Sequence, residues 1–136
     1  NNLLDGRITI EKNYGNLPMV ECYPGKLNQV FLNIITNGIH ALKSKFKADA
    51  GGVITITTRQ VDSNVTISIK DNGTGMDDNT KKKLFEPFFT TKDVGEGTGL
   101  GLSIAYNTIK KHNGTIEVIS ELGEGTEFLI TIPSLQ

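Results

Sequence analysis

Three groups of residues in this chain have types and spacings suited to chemistry. Asn33, Asn37 and His40 stand four and three positions apart. At about 100° per residue on a helix, that spacing puts them in one polar stripe. Amide oxygens are hard, neutral ligands that Mg2+ accepts beside waters and substrate phosphates. The same stripe also suits the solvated side of a helix, although Asn is a mediocre helix former that costs a few tenths of a kcal/mol per residue. Asp71 follows Val65, Ile67 and Ile69 in alternate positions, so strand parity turns it inward with them. An inward carboxylate costs several kcal/mol without a partner, and an N–H donor such as an adenine amino group would supply one. The competing reading ends the strand earlier and makes Asp71-Asn72-Gly73 a turn. Thr126 shares the register of Phe128, Ile130 and Ile132, flanked by Gly123 and Gly125, which permit close backbone approach. A hydroxyl there bridges a ring nitrogen and a carboxylate, or simply satisfies a strand-end carbonyl.

A run of alternate glycines, Gly95-Glu96-Gly97-Thr98-Gly99-Leu100-Gly101, leads straight into a helical pattern from Leu102. Glycine backbone and the free N–H groups of a helix start suit an anion such as phosphate. No Gly-Lys-Ser/Thr follows and no G-x-G-x-x-G spacing occurs, so this is neither a P-loop nor a dinucleotide fingerprint. A plain flexible loop is the alternative. Lys92, after Thr90-Thr91, is placed to bring an ammonium near phosphate or to stand in water. Phe85-Glu86-Pro87-Phe88-Phe89 reads as the anchor of a loop rather than a base-stacking platform. His112 precedes Asn113-Gly114, a helix C-cap pattern in which a cation suits the dipole, and it receives no chemical role.

The elements that must hold these residues follow from periodicity. Arg7 to Tyr14 and Met19 to Tyr23 read as short strands around a Gly15-Asn16-Leu17-Pro18 turn. Pro24-Gly25 opens a long helix with Leu27, Val30, Phe31, Ile34, Ile35 and Leu42 on its apolar face. A hairpin of Val53 to Val61 and Val65 to Asp71 comes next, joined through Asp62-Ser63-Asn64. A short helix at Asp77 to Phe85 precedes the glycine run, and a helix ending near His112 follows it. Thr115 to Ser120 and Thr126 to Ile132 form the last hairpin. Hairpins interrupted by separate helices indicate α+β, a mixed sheet with helices on one face. Thr55, Thr57, Thr66, Ser68 and Lys70 mark the other face as solvated.

Composition narrows the class. The 136 residues suit a single domain, 1–136, with a real core. No apolar stretch is long enough to span a membrane, and a formal net charge of -1 gives no general reason to expect nucleic acid. Cys22 is the single cysteine, which excludes an internal disulfide and a Cys-rich metal site and makes a reducing, cytoplasmic setting the default. The chain opens on Asn1 rather than Met and is read as a piece of a longer protein.

In their order, these segments resemble the catalytic, ATP-binding domain of two-component sensor histidine kinases. The helix with Asn33 and Asn37, then Asp71-Asn72-Gly73-Thr74-Gly75-Met76, Leu84 to Lys92, Gly97-Thr98-Gly99-Leu100-Gly101-Leu102 and Gly123-Glu124-Gly125-Thr126 follow that family's signature boxes from Pro24 to Pro133. The resemblance implies the Bergerat fold, a two-layer α/β sandwich with a mixed, mostly antiparallel sheet and about three helices on one face. Gyrase, heat-shock protein 90 and mismatch-repair ATPases share it. ATP and Mg2+ are the implied cofactors. Carried onto these positions, Asp71 bonds the adenine amino group, Gly75 and Thr126 complete the base pocket, and Gly73 and Met76 lie beside it. Asn37 ligates Mg2+ and Asn33 lies beside the phosphates. His40 occupies a place often held by a basic phosphate-contacting residue, and as a neutral imidazole it would be a weaker electrostatic partner. Asn33, Asn37, His40 and Lys92 form the implied catalytic set. Phe85 to Thr98 form the ATP lid with Gly95 and Gly97 as hinges, while Gly97, Thr98 and the Gly99-Leu100-Gly101-Leu102 backbone meet the phosphate chain.

The resemblance also bears on the reaction. In the ATPase branches, the position of Asn33 is typically a glutamate that activates water, and an amide has no proton affinity for that task. Slow hydrolysis and phosphoryl transfer to a histidine of a partner segment are therefore expected, with catalysis by positioning and charge neutralisation. Neither His40 nor His112 has the sequence context of a phosphoacceptor. The acceptor is expected on dimerisation helices upstream, with a response regulator as indirect partner. The implied states are a monomer for this piece, with no membrane contact of its own, and a homodimer for a full-length kinase that is free to carry a membrane anchor. A serine-kinase anti-sigma factor, a gyrase-type ATPase and a non-enzymatic binding module are the alternatives.

Overall fold

The computed structural model describes residues 2–4, 8–14, 24–46, 51–86 and 101–134. Strands β1 (Asn2–Leu4), β2 (Ile8–Tyr14), β3 (Gly52–Val61), β4 (Asn64–Asp71), β5 (Thr115–Glu121) and β6 (Gly125–Pro133) form one sheet in the order β1-β2-β3-β4-β6-β5. Helices α1 (Pro24–Phe46), α2 (Asp78–Lys83) and α3 (Gly101–Lys111) complete the described elements. All strand pairs are antiparallel except β2 with β3. That parallel pair brackets α1 in sequence, as a parallel connection requires a crossover. The expected α+β sandwich with a mixed, mostly antiparallel sheet is thus present. β1 was not expected from sequence, and the expected strand at Met19 to Tyr23 lies outside the described residues.

Burial follows the two periodicities. On α1, Leu27, Val30, Ile34 and Leu42 are buried, with Phe31 and Ile35 partly buried beside them. Pro24 at the first helical position lacks only an N–H that the helix cannot use, and Lys43 and Lys45 in the last turn suit the negative end of the dipole. On β4 and β6, Val65, Ile67, Ile69, Phe128, Ile130 and Ile132 meet α1 and the Ala105 and Ile109 face of α3 in a single core. At about 25 cal/mol per Å2 of apolar surface removed from water, such side chains contribute roughly 1.5–3 kcal/mol each. The opposite sheet face carries half-buried Thr55, Thr57, Thr66 and Ser68 and exposed Lys70, with Ser68 donating to Glu127.

Short-range chemistry sets the element ends. Asp77 caps α2 by accepting the Thr80 N–H at 2.8 Å, and α2 itself buries no residue. α3 stops where Asn113 takes a left-handed φ of 60° and Gly114 returns its N–H to the Ile109 carbonyl at 3.0 Å. His112 is buried there and donates Nδ1–H to the Thr108 carbonyl at 2.8 Å. That is a capping role, as its sequence context indicates. Among the described residues, no helix is long and apolar enough to cross a membrane.

Candidate functional site

Asp71 is the last residue of β4, still inside the ladder, opposite Ile54 of β3 and Thr126 of β6. The strand therefore does not end before it, and the carboxylate is buried at 7% exposure. Burial pushes its pKa above the ordinary value. The N–H groups of Gly73 and Thr126 and the charge of Lys45 act in the opposite direction without overcoming it. One carboxylate oxygen, Oδ1, accepts the Gly73 N–H at 2.8 Å. The other, Oδ2, lies 3.5 Å from where a Cβ on Gly38 would sit. A glycine in mid-helix costs about 1 kcal/mol against alanine. A Cβ here would make only ordinary van der Waals contacts, with Ile54 Cδ1 at 3.4 Å and with the carboxylate, so α1 passes beside Asp71 without requiring the glycine.

The same turns of α1 bring the rest of the stripe to this place. A Cβ on Gly73 would come within 2.7 Å of Ala41 Cβ, so the stretch from Gly38 to Ala41 covers Asp71 and Gly73. Asn33, Asn37 and His40 are half-buried rather than solvated. Asn33 joins α1 to α3: its Nδ2 donates to the Gly101 carbonyl at 3.1 Å while its Oδ1 accepts from Gln29 at 2.9 Å. The polar stripe thus runs from Asp71 to the first residue of α3. That helix start has no acidic residue in its first turn to offset the dipole. Leu102 is half-buried and Ser103 buried at that helix start.

The loop after Asp71 is held from behind by the β5–β6 hairpin. Gly75 has φ +70°, and a Cβ there would stand 2.0 Å from the Glu121 carbonyl oxygen. Thr74 accepts the Gly123 N–H at 2.7 Å, and the Met76 N–H donates to Ser120 Oγ at 2.8 Å. Gly125, at φ +135°, would put a Cβ 2.1 Å from the Asp71 carbonyl oxygen. Its glycine is required by the closeness of β4. Thr126 Oγ1 lies 2.9 Å from Ser120 Oγ, which binds that hydroxyl into the hairpin. Asn72 instead clips the start of β3, accepting the Val53 N–H at 2.8 Å and donating to the Gly51 carbonyl at 3.0 Å.

Of the residues singled out from sequence, Asn33, Asn37, His40, Asp71, Gly73, Gly75, Met76, Gly101, Leu102 and Thr126 belong to described segments on the helix-covered side. Lys92, Gly95, Gly97, Thr98, Gly99 and Leu100 lie outside the described residues, as does the lid segment beyond Glu86. Phe85 packs against Tyr106 and Phe128, with ring centroids 5.3 and 6.4 Å away, so it anchors the chain on the core. Sequence reasoning missed Gly38, Lys45 and Ser120. Ser120 was findable, because it shares the inward parity of Ile116 and Val118. Lys45 reaches the Gly123 carbonyl at 2.8 Å, which no local pattern announces. Among the described residues, no three His, Cys, Asp or Glu side chains gather to hold a metal.

An inward acid beside a helix, a glycine-built loop behind it and a helix start without acidic residues define a nucleotide-binding α/β sandwich. The family model for histidine kinase-, DNA gyrase B- and HSP90-like ATPases matches residues 22–136, and the chain belongs to that family of ATP-binding domains. Within it, the relatives are sensor histidine kinases. Sporulation kinase E of Bacillus subtilis (strain 168) is 44% identical over 122 residues, which is 89% of this chain and 15% of that protein. The catalytic domain of histidine kinase ThkA superposes with a TM-score of 0.76 at 32% identity, covering 93% of this chain and 79% of that one. Full-length ShkA in complex with AMPPNP gives 0.78 at 29% identity, over 93% of this chain and 25% of that one. The chain spans only 15% and 29% of the two sporulation kinases it matches.

Proposed function

We propose that this chain is the single catalytic domain of a protein-histidine kinase, binding Mg-ATP and passing its γ-phosphoryl group to a histidine on dimerisation helices of the same protein. The buried Asp71 carboxylate is the observation that carries the reading, since it has nothing apolar to gain where it stands and faces the ground that a purine would fill. Its ionised form accepts the adenine amino N–H. Gly73, Gly75 and Met76 present backbone to the base, and Thr126 closes the side toward β6. That the similar ShkA was solved in complex with AMPPNP supports a nucleotide ligand.

At the other end of the stripe, Gly101 and Leu102 offer backbone N–H groups and the α3 dipole to phosphate. Asn33 holds that helix start against α1, so its amide acts on the phosphate side chiefly by placing Gly101. The oxygen donor for Mg2+ is assigned to Asn37, one turn further along the stripe. An amide with no acidic cluster among the described residues fits an ion that arrives with the phosphates and keeps its waters rather than an autonomous metal cage. When bound, the ion neutralises charge on the phosphate oxygens. His40 is one turn along the same stripe, and Lys92 together with Gly97 to Leu100 would close over the phosphates. Asn33 has no basic group to activate water. The phosphoryl acceptor is therefore an external imidazole and not solvent.

The test mixes this chain, Mg-ATP and separately expressed upstream helices, and looks for acid-labile phosphate on the helices. Phosphate on a serine instead would favour a serine-kinase anti-sigma reading, and rapid hydrolysis with no transfer would favour a gyrase-type ATPase.

A further inference from the structure

Asn72 stands half-buried one residue past the end of β4, where the ladder with β3 gives way to the loop. Asp71 pairs with Ile54 in the last rung, so the next rung would join Asn72 to Val53. The main chain of Asn72 makes only half of it. The Asn72 N–H donates to the Val53 carbonyl at 3.3 Å. The Val53 N–H is taken at 2.8 Å by Asn72 Oδ1, a side-chain oxygen in the place of the main-chain carbonyl. Nδ2 donates to the Gly51 carbonyl at 3.0 Å. Val53 N–H can only donate and Gly51 carbonyl can only accept, so the amide lies one way round. A peptide unit is planar, with its C=O and N–H pointing opposite ways. With the Asn72 carbonyl in the ladder toward β3, the Gly73 N–H would point toward β6, the other neighbour of β4. Instead it is turned inward onto Asp71 Oδ1, at 2.8 Å. The turned peptide leaves no room for a side chain at Gly73, where a Cβ would lie 2.9 Å from Asp71 Oδ1 and 2.7 Å from Ala41 Cβ.

Resting on the adenine-site reading above, we infer that Asn72 is a positioning residue for nucleotide binding: its side-chain carbonyl replaces its main-chain carbonyl in the sheet and so releases the Gly73 N–H to hold the Asp71 carboxylate for the base. Asn72 touches no ligand and acts through Gly73 and Asp71. A carboxylate already held by a fixed donor keeps one orientation, so little further ordering is needed when a ligand N–H arrives. Without the Asn72 oxygen, the Val53 N–H falls to the Asn72 main-chain carbonyl. The peptide then swings back into the ladder and takes the Gly73 N–H away from Asp71.

The inference is tested by calorimetric titration with ADP and by NMR of the Gly73 amide proton, for the chain, Asn72→Ala and Asn72→Asp, with urea unfolding alongside. Asn72→Ala should weaken ADP binding about two- to tenfold, the worth of one ordinary hydrogen bond. Its Gly73 proton should move upfield as it leaves the carboxylate. Asn72→Asp keeps an oxygen for the Val53 N–H and loses the donor to Gly51. With salt present to screen the added charge, it should bind ADP more tightly than Asn72→Ala and keep its Gly73 signal near that of the parent. Affinity and the Gly73 signal must move together in every variant that folds. An Asn72→Ala chain that loses stability but binds ADP as the parent does makes Asn72 a structural clip and overturns the inference. So does a loss of affinity with the Gly73 signal unmoved, or one that Asn72→Asp shares in full. If Asn72→Ala does not fold, Asn72→Asp decides by the same coupling of signal and affinity. A parent chain that binds no ADP refutes the adenine-site reading itself, while the Gly73 signal still reports whether Asn72 turns that peptide.

Discussion

Replacing Asp71 by asparagine should move binding and stability in opposite directions. The amide keeps an oxygen for the Gly73 N–H, now 2.8 Å from Oδ1, so the loop has a partner in both forms. What disappears is a charge in a buried place. On the ligand side, losing a charge-assisted hydrogen bond costs about 1–3 kcal/mol, which at 1.4 kcal/mol per decade is roughly 5- to 150-fold in Kd. On the stability side, burial raises the Asp71 pKa above its ordinary 3.8. Between 3.8 and the raised value the folded chain holds more protons than the unfolded one, so stability falls as pH rises through that window. Above it, the ionised acid makes its least favourable contribution. A neutral amide carries no such penalty, so Asp71→Asn should be at least as stable as the parent near neutral pH and show a flatter pH dependence. Calorimetric titration with a non-hydrolysable ATP analogue, paired with urea unfolding at acidic and neutral pH, reads both. Unchanged affinity would refute the adenine role. Weaker binding accompanied by an equal loss of stability would mean that Asp71 is a structural acid and its ligand role an artefact of unfolding.

Asn37→Ala should abolish the Mg2+ dependence of nucleotide binding measured with and without chelator, and a retained dependence would place the metal ligand elsewhere. Gly125→Ala forces a Cβ to within 2.1 Å of the Asp71 carbonyl at φ +135°. Overpacking and strain together should lower stability by about 2–4 kcal/mol in urea unfolding. Loss of His112 at the end of α3, as His112→Ala, should cost about 1–2 kcal/mol through the Thr108 carbonyl. It should leave nucleotide affinity unchanged, which separates a cap from a chemical histidine.

Much of this architecture was legible because long elements announce their period. The alternation of Val65, Ile67 and Ile69 carried Asp71 inward, and the ladder opposite Ile54 and Thr126 is the physical realisation of that parity. α1 was legible from its apolar stripe, and its polar stripe proved half-buried because the covering loop comes from Gly73 and the start of α3, far away in sequence. β1 was not legible: three residues contain too little alternation to signal a strand, and it exists by pairing with β2. The inward parity of Ser120 was readable, but its partner was hidden for another reason. A serine on a hairpin strand looks solvated until the Met76 N–H, donated from a segment 44 residues earlier, is seen to reach it. The closeness of Gly75 to the Glu121 carbonyl is likewise a long-range fact, so sequence could mark the glycine but not what it makes room for.

The glycines of the pocket floor carry a consequence for anyone wishing to engineer its ligand choice. Gly73, Gly75 and Gly125 have no side chain to trim, and a methyl on any of them runs into Ala41, the Glu121 carbonyl or the Asp71 carbonyl. The usual strategy of carving a hole for a bulkier nucleotide analogue, or filling one to exclude the natural ligand, therefore has no foothold there. Orthogonal variants of this domain would have to be sought at Asp71 and Thr126, where function is written in side chains and can be rewritten.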